Sequence, residues 1–260
     1  MKAHAKINLA LVVGPLRDDG KHEVVTLLQR IDLADEISLE RSRDLVVEGF
    51  GANTIVYAAL ESIAVAAGVE PRWRARIEKN IPVAAGLGGG SSDAATALRL
   101  ANETLGDPLA ADQLHEIAVT LGSDVPFFLT EGPQLGTGDG SVLEPFDLRQ
   151  DYTVLLLLPN GVTKDSTAAV YARFTGAGEF RWRRGRLFAT LEAGDLAALP
   201  PNDLASSPLA ARLVELGAFR ADVSGAGPAV YGLFDDADQA ERAARTLAPL
   251  GRTMVVAPAW

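Results

Sequence analysis

Cysteine is absent from all 260 residues. That excludes a disulfide framework, a thiol nucleophile and a thiolate metal site, and it is consistent with a reducing cytosol. Basic residues are scarce, with 24 Lys and Arg against 34 Asp and Glu, a net charge of −10. Such an excess of acid argues against nucleic acid or an anionic membrane as a partner. Long apolar runs are also missing. The most strongly apolar, Val154 to Leu158, has the length of a strand and falls far short of the ~18–20 residues of a membrane span. Lys6 and Asn8 interrupt the amino-terminal apolar stretch, and it has no A-x-A-like cleavage site. The expected location is therefore cytoplasmic. Histidine occurs three times, at His4, His22 and His115, without metal-ligand spacing and without an H-E-x-x-H motif.

Glycine is abundant by comparison. Its 25 residues cluster at Gly86–Gly90, Gly132–Gly140 and Gly225–Gly227. The chain is long enough for one large domain or two ordinary ones. Residues 5–13 alternate, so a strand reading puts Lys6 and Asn8 on one face. Val24–Leu33, Glu36–Glu40 and Leu45–Glu48 read as further strands, and Arg72–Glu78 as a half-exposed one. Asn53–Gly68 reads as a helix with an Asn cap. A loop over Pro82–Gly90 precedes a helix capped by Ser91 or Ser92. Ala111–Leu121 is another helix, and Pro133–Gly140 reads as a loop. Tyr152–Leu158 is a strand buried on both faces. Helices are expected at 165–174, 185–193, 207–217 and 237–248, with strands at 219–224, 229–234 and 252–257. Thr175–Arg186 reads as a flexible surface excursion. The mixed order favours an α+β fold with a boundary near residue 150, giving domains 1–150 and 151–260.

Three segments could carry chemistry. In Pro82-Val-Ala-Ala-Gly-Leu-Gly-Gly-Gly-Ser-Ser-Asp93, a glycine-rich loop feeds a helix N-terminus, a geometry that suits a polyphosphate. It matches neither G-x-x-x-x-G-K-[ST] nor G-x-G-x-x-G, and a tight strand-to-helix connection is the plainer alternative. In Gly122-Ser-Asp124-Val-Pro-Phe-Phe128 a partly buried acid follows a helix end; as a simple cap it needs no further role. Val223-Ser-Gly-Ala-Gly-Pro-Ala229 taken alone is a β-turn. Lys6 taken alone is a surface lysine on a strand.

Taken together, Ala5-Lys-Ile-Asn-Leu-Ala-Leu11, the Pro82–Ala95 loop, Gly122–Phe128 and Val223–Phe234 resemble, in order and spacing, the motifs of the GHMP kinase superfamily. Ala5–Asn8, Asp19-Gly-Lys-His22, Gly88–Asp93 and Gly122–Pro126 resemble most its 4-diphosphocytidyl-2-C-methyl-D-erythritol kinase branch. The resemblance implies a two-domain α+β GHMP kinase fold. Its N-terminal half would be like ribosomal protein S5 domain 2 and its C-terminal half ferredoxin-like. It implies ATP-dependent phosphorylation of the 2-hydroxyl of the cytidyl-diphosphate substrate, in isoprenoid precursor synthesis. Asp124 would be the catalytic base and Lys6 its charge partner, which suits a transfer run mostly by positioning and charge stabilisation. ATP would be held by Pro82, Ala84, Gly86, Leu87, Gly88, Gly89, Gly90, Ser91, Ser92 and Asn53. Mg2+ would arrive on the ATP, near Asp93, with no metal site built from protein side chains alone.

The same resemblance assigns the cytidyl substrate to Asn8, Lys21, His22, Asp124, Thr167, Tyr171, Ser224, Gly225 and Gly227. Lys21 is a departure, because the branch has Tyr there to stack on cytosine, so one half of an aromatic sandwich is missing. Lys164-Asp-Ser166 is a smaller departure. The implied partners are small molecules, with no nucleic acid and no membrane, and the chain would be a monomer or homodimer. A homoserine- or mevalonate-type kinase of the same superfamily is the alternative. A non-catalytic nucleotide-binding regulator is a third reading, which the presence of both Lys6 and Asp124 disfavours.

Overall fold

A computed structural model describes residues 1–49, 54–162 and 166–259. In chain order it contains β1 (Lys2–Leu16), β2 (His22–Arg41), β3 (Val46–Glu48), α1 (Thr54–Ala67), β4 (Trp73–Glu78), α2 (Gly89–Leu105) and α3 (Ala111–Leu121). The hairpin β5 (Gln134–Thr137) and β6 (Val142–Pro145) follows. Then come β7 (Thr153–Pro159), α4 (Thr167–Ala172), α5 (Phe180–Glu192), α6 (Pro208–Glu215), β8 (Arg220–Val223), β9 (Val230–Phe234), α7 (Ala237–Leu247) and β10 (Gly251–Val256). The chain divides into two compact units that interleave along the sequence.

The first unit comprises Met1–Ala5, Leu33–Val83 and Gly88–Glu131. Here β4 pairs antiparallel with residues 36–41 of β2 and parallel with β3. The alternation of β4 works as the sequence suggests: Trp73, Ala75 and Ile77 are buried between exposed or half-exposed neighbours. Helices α1 and α2 pack together, and α3 packs on α1. Ala59, Leu60 and Ile63 of α1 and Ala94, Ala95, Leu98 and Ala101 of α2 are all fully buried.

The second unit comprises Lys6–Asp32, Ala84–Leu87 and Gly132–Trp260. Its carboxy-terminal sheet is antiparallel, in the order β10-β7-β9-β8. That order, with helices between β7 and β8 and between β9 and β10, is the β-α-β-β-α-β arrangement of a ferredoxin-like fold. Val154 to Leu157 lie at the sheet's centre and are fully buried. Leu155, Leu157, Val230 and Phe234 meet Leu213 of α6 and Ala240, Ala243 and Leu247 of α7 in one core cluster. Elsewhere in the unit, Tyr231 Oη and Arg220 Nε both donate to the Leu9 carbonyl of β1, each at 3.1 Å.

Four sequence expectations need correction. The strands expected at Val24–Leu33 and Glu36–Glu40 are one, β2, because Asp35 is satisfied by buried hydrogen bonds and does not break the run. Residues 134–137 are strand, not loop. The glycines that suggested a loop form the tight turn after β5, with Gly138 at φ 70° and Gly140 at φ 98°. Thr175–Arg186 is no flexible excursion, since α5 begins at Phe180 and buries Phe180, Leu187 and Leu191. Helix α2 is not capped by Ser91 or Ser92. Gly88, left-handed at φ 71°, leads into it with no side-chain cap.

Replacing Phe234 with Ala opens a void in the β7–β9 core and should cost about 3–5 kcal/mol in urea unfolding. Val65→Ala, on the exposed side of α1, should stay within about 0.5 kcal/mol.

Candidate active site

In the second unit, the shared face expected for Lys6 and Asn8 is present, but it is buried. The two residues are 3% and 5% exposed, and Lys6 Nζ donates to Asn8 Oδ1 at 2.5 Å. Asn8 Nδ2 donates to Thr26 Oγ1 at 2.8 Å, which donates in turn to the Ala10 carbonyl. Asn8 is thus fixed with its amide oxygen toward the lysine. The backbone N–H of Asn8 donates to Ser224 Oγ at 3.3 Å, and Ser224 Oγ donates to the Gly86 carbonyl at 2.9 Å.

Backbone bonds extend the same join. Lys6 N–H donates to the Leu87 carbonyl at 2.9 Å, and Ala229 N–H donates to the Ala85 carbonyl at 3.0 Å. Glycine is required where these strands of loop meet. Gly86 has φ 84°, and a Cβ there would run into the Ser224 carbonyl oxygen. Gly225 has φ 56°, and a Cβ there would stand 3.3 Å from Asn8 Oδ1 and 3.7 Å from Lys6 Nζ. The turn at Gly225 is held from behind by Asn202, whose Nδ2 donates to the carbonyls of Val223 and Gly225 at 2.8 and 2.6 Å.

The unit also gathers His22, Tyr171 and Phe174. The His22 ring lies 5.7 Å from the Tyr171 ring and 5.8 Å from that of Phe174, edge-on to the latter. Its Nδ1 faces the Gly14 carbonyl at 2.8 Å, so that nitrogen carries the proton. Lys21 does not join this cluster but pairs with Asp139 at 2.5 Å. Thr167 is exposed at the start of α4. A cleft of about 890 Å³ opens beside Phe174, Asp203, Leu204, Ser207, Ala226 and Gly227. Arg183 of α5 turns inward and donates to Asp203 Oδ1 at 2.6 Å.

In the first unit, Gly88 to Ser92 form the opening of α2, with Ser92 and Asp93 buried. Asp93 Oδ2 accepts from Lys79 Nζ at 2.8 Å, and Lys79 also donates to Asp35. Asp35 Oδ1 accepts the backbone N–H groups of Asn80 and Ile81 at 2.6 and 2.8 Å. Two carboxylates thus share one ammonium. Burial pushes Asp93 up to about 7 against the pull of Lys79. Burial also works against the charge on Lys79, but its two carboxylate partners outweigh that and hold its pKa above the ordinary lysine value. Asp124 follows Gly122, the C-cap of α3, and is half-buried ahead of the buried Val125, Phe127 and Phe128. Asn53 lies outside the described residues. Among the described residues no group of three or more acidic or histidine side chains could hold a metal ion.

Two family models match the chain: the GHMP kinases N terminal domain over residues 54–132 and the GHMP kinases C terminal over residues 193–250. The 4-diphosphocytidyl-2-C-methyl-D-erythritol kinase of Geobacter metallireducens is 38% identical, over 99% of this chain and 96% of its own. The chain belongs to the GHMP kinase family. A crystal structure of 4-(cytidine 5'-diphospho)-2C-methyl-D-erythritol kinase superposes with a TM-score of 0.83 at 31% identity, covering 100% of this chain and 99% of that one. Methanococcus jannaschii mevalonate kinase shares the fold at 14% identity, with a TM-score of 0.77 over 100% and 98% of the two chains.

Of the residues this GHMP kinase was expected to use, Lys6, Asn8, Gly86, Ser224 and Gly225 come together in one unit, while Gly88–Asp93 and Asp124 belong to the other. The sequence reading missed Asp35, Lys79, Thr26 and Asn202. Lys79 lies three residues before Pro82 and could have been noticed as a cation at the mouth of the glycine loop. Asp35 and Asn202 carried no local signal, because their partners are distant in sequence.

Asp93 holds its proton more tightly folded than unfolded, so its stabilising contribution is present below about pH 4 and is lost as pH rises to about 7. Asp93→Asn removes this titration. Its melting temperature should therefore rise relative to the parent between pH 5 and pH 8, as measured by differential scanning calorimetry. A constant difference across that range would place the titration elsewhere.

Proposed function

We propose that this chain transfers the γ-phosphoryl group of ATP to the 2-hydroxyl of 4-diphosphocytidyl-2-C-methyl-D-erythritol, a step of isoprenoid precursor synthesis in the cytoplasm. The observation that carries this reading is the near full-length likeness to kinases of that name. It is joined by the packing of Lys6, Asn8 and Gly225 in one place. Lys6 stabilises charge on the transferring phosphoryl group, and Asp124 accepts the hydroxyl proton. No covalent enzyme intermediate is needed, because such a transfer proceeds through a loose transition state that rewards positioning and charge neutralisation.

The loop Pro82–Leu87 and the opening of α2, Gly88–Ser92, receive the ATP phosphates through backbone N–H groups. Asn53 belongs to the same nucleotide reading. Magnesium enters with ATP. Asp93 is already engaged by Lys79 and serves the loop, so no step is assigned to it. His22, Tyr171 and Thr167 take the cytidine end of the acceptor, and Ser224, Gly225 and Gly227 its diphosphate side. The proposed domains are residues 1–150, with the ATP-phosphate loop, and 151–260. Homoserine or mevalonate as acceptor is the second reading. It is favoured by Lys21, which pairs with Asp139 and offers no ring to cytosine.

A coupled ADP-release assay over cytidyl-diphospho-methylerythritol, homoserine and mevalonate separates these readings; turnover with only the latter two rejects the first. Asp124→Asn should lower kcat by about 10²–10⁴-fold, the worth of a general base, with ADP affinity kept. Near-normal turnover would remove Asp124 from that role. Lys21→Tyr should lower KM for the cytidyl acceptor by about two- to tenfold, the value of one aromatic pair, leaving KM for ATP unchanged.

A further inference from the structure

The glycine loop leaves the first unit after Val83 and returns to it at Gly88. Both of its ends are tied to the same three side chains. At the entry, Asp35 Oδ1 accepts from Asn80 N–H and Ile81 N–H, at 2.6 and 2.8 Å. At the exit, Asp93 in the second turn of α2 accepts from Lys79 Nζ at 2.8 Å. Lys79 closes the circuit by donating to the other oxygen of Asp35. The side chains of Asp35 and Asp93 are fully buried, and that of Lys79 is 14% exposed. The ammonium also sits against the first residue of α2. A Cβ on Gly89 would stand 3.4 Å from Lys79 Nζ and 3.0 Å from Ile81 Cγ2.

We infer that Lys79 is a positioning residue for nucleotide binding: through Asp35 and Asp93 it closes the base of the glycine loop and sets the aim of the first turn of α2. The inference rests on the reading of this loop as the ATP-phosphate cradle. Two considerations favour it over a role in stability or in direct attraction. Buried ion pairs seldom stabilise more than an apolar replacement would, so stability alone is a weak reason for three such groups. Attraction is also a poor reason, because the ammonium is already shared between the side chains of Asp35 and Asp93. Geometry remains. Helix α2 starts from a left-handed Gly88 with no side-chain cap, so no capping side chain orients its first N–H groups, and the bonds that hold Ala85, Gly86 and Leu87 fix the loop ahead of the helix and not the helix turn itself. The clamp supplies that direction one turn further along, where Asp93 is anchored.

The test is isothermal titration calorimetry of the full chain with ADP and, separately, with CDP. It compares the parent with Lys79→Met, Lys79→Arg, Asp93→Ala and Asp93→Asn. Lys79→Met and Asp93→Ala should weaken ADP by about tenfold or more, the scale of a misplaced binding group, with CDP within twofold. Lys79→Arg and Asp93→Asn, which keep a hydrogen bond across the clamp, should recover most of the loss. If Lys79→Met fails to unfold cooperatively, Asp93→Ala, which leaves Lys79 on Asp35, is judged by the same figures. ADP affinity within twofold of the parent in Asp93→Ala would overturn the inference. So would equal weakening of ADP and CDP, which marks general disruption. A parent that binds ADP but turns over no acceptor refutes the proposed function while the clamp is still judged on its ADP figures. A parent that binds no ADP overturns both.

Discussion

Everything in the proposed site depends on the close approach of two glycine turns to one strand. At Gly86 a side chain would strike the Ser224 carbonyl, and at Gly225 it would press on Asn8 and need a left-handed backbone. Ser224 fills the remaining gap with a hydroxyl that accepts from Asn8 and donates to Gly86. Three separate parts of the chain are thus held by hydrogen bonds of ordinary length, with no room for a Cβ at Gly86 and a left-handed backbone at Gly225 that a side chain would strain. A buried lysine tolerates such a place only with a fixed partner, which Asn8 provides. The arrangement explains why glycine is clustered in this sequence: the positions are demanded by contact as well as by turns.

The fold was legible where local chemistry decides it. The alternation of Arg72–Glu78, the apolar run Val154–Leu157 and the Gly-terminated helix Ala111–Leu121 each met the structure with little adjustment. Legibility failed where a distant partner overrides the local signal. Asp35 looked like a break between two strands, but residues more than forty positions away satisfy its carboxylate and the strand runs through. Residues 134–137 looked like loop because glycine follows them, yet pairing with Thr26–Leu28 makes them strand. Of the site, Lys6, Asn8 and the glycine turns were visible in the sequence by resemblance. Lys79 and Asn202 were not, because each acts through groups it meets only in the fold.

The charge balance also takes a definite form. Several arginines of the second unit are engaged by groups of the protein itself. Arg183 bonds Asp203, Arg184 and Arg186 lie over Phe188 and Trp182, and Arg220 is buried against backbone carbonyls and Asp222. For the polyanionic ligands proposed above, a chain of net charge −10 leaves backbone N–H groups and a very few placed cations to hold them. This favours selectivity by shape over general attraction.

The interleaving of the two units has a kinetic consequence. The Leu9 carbonyl of strand β1 is satisfied by Tyr231, 222 residues later, and the N–H of Asn8 by Ser224, 216 residues later. Closing contacts of that span is slow, because the loop entropy must be overcome before the contacts contribute. During synthesis, these contacts of the strand that carries Lys6 must wait until Ser224 and Tyr231 have emerged. Its apolar residues stay open to wrong partners throughout that interval. Folding of the second unit, and with it assembly of the Lys6–Asn8–Gly225 corner, is therefore a late event governed by the carboxy-terminal sheet.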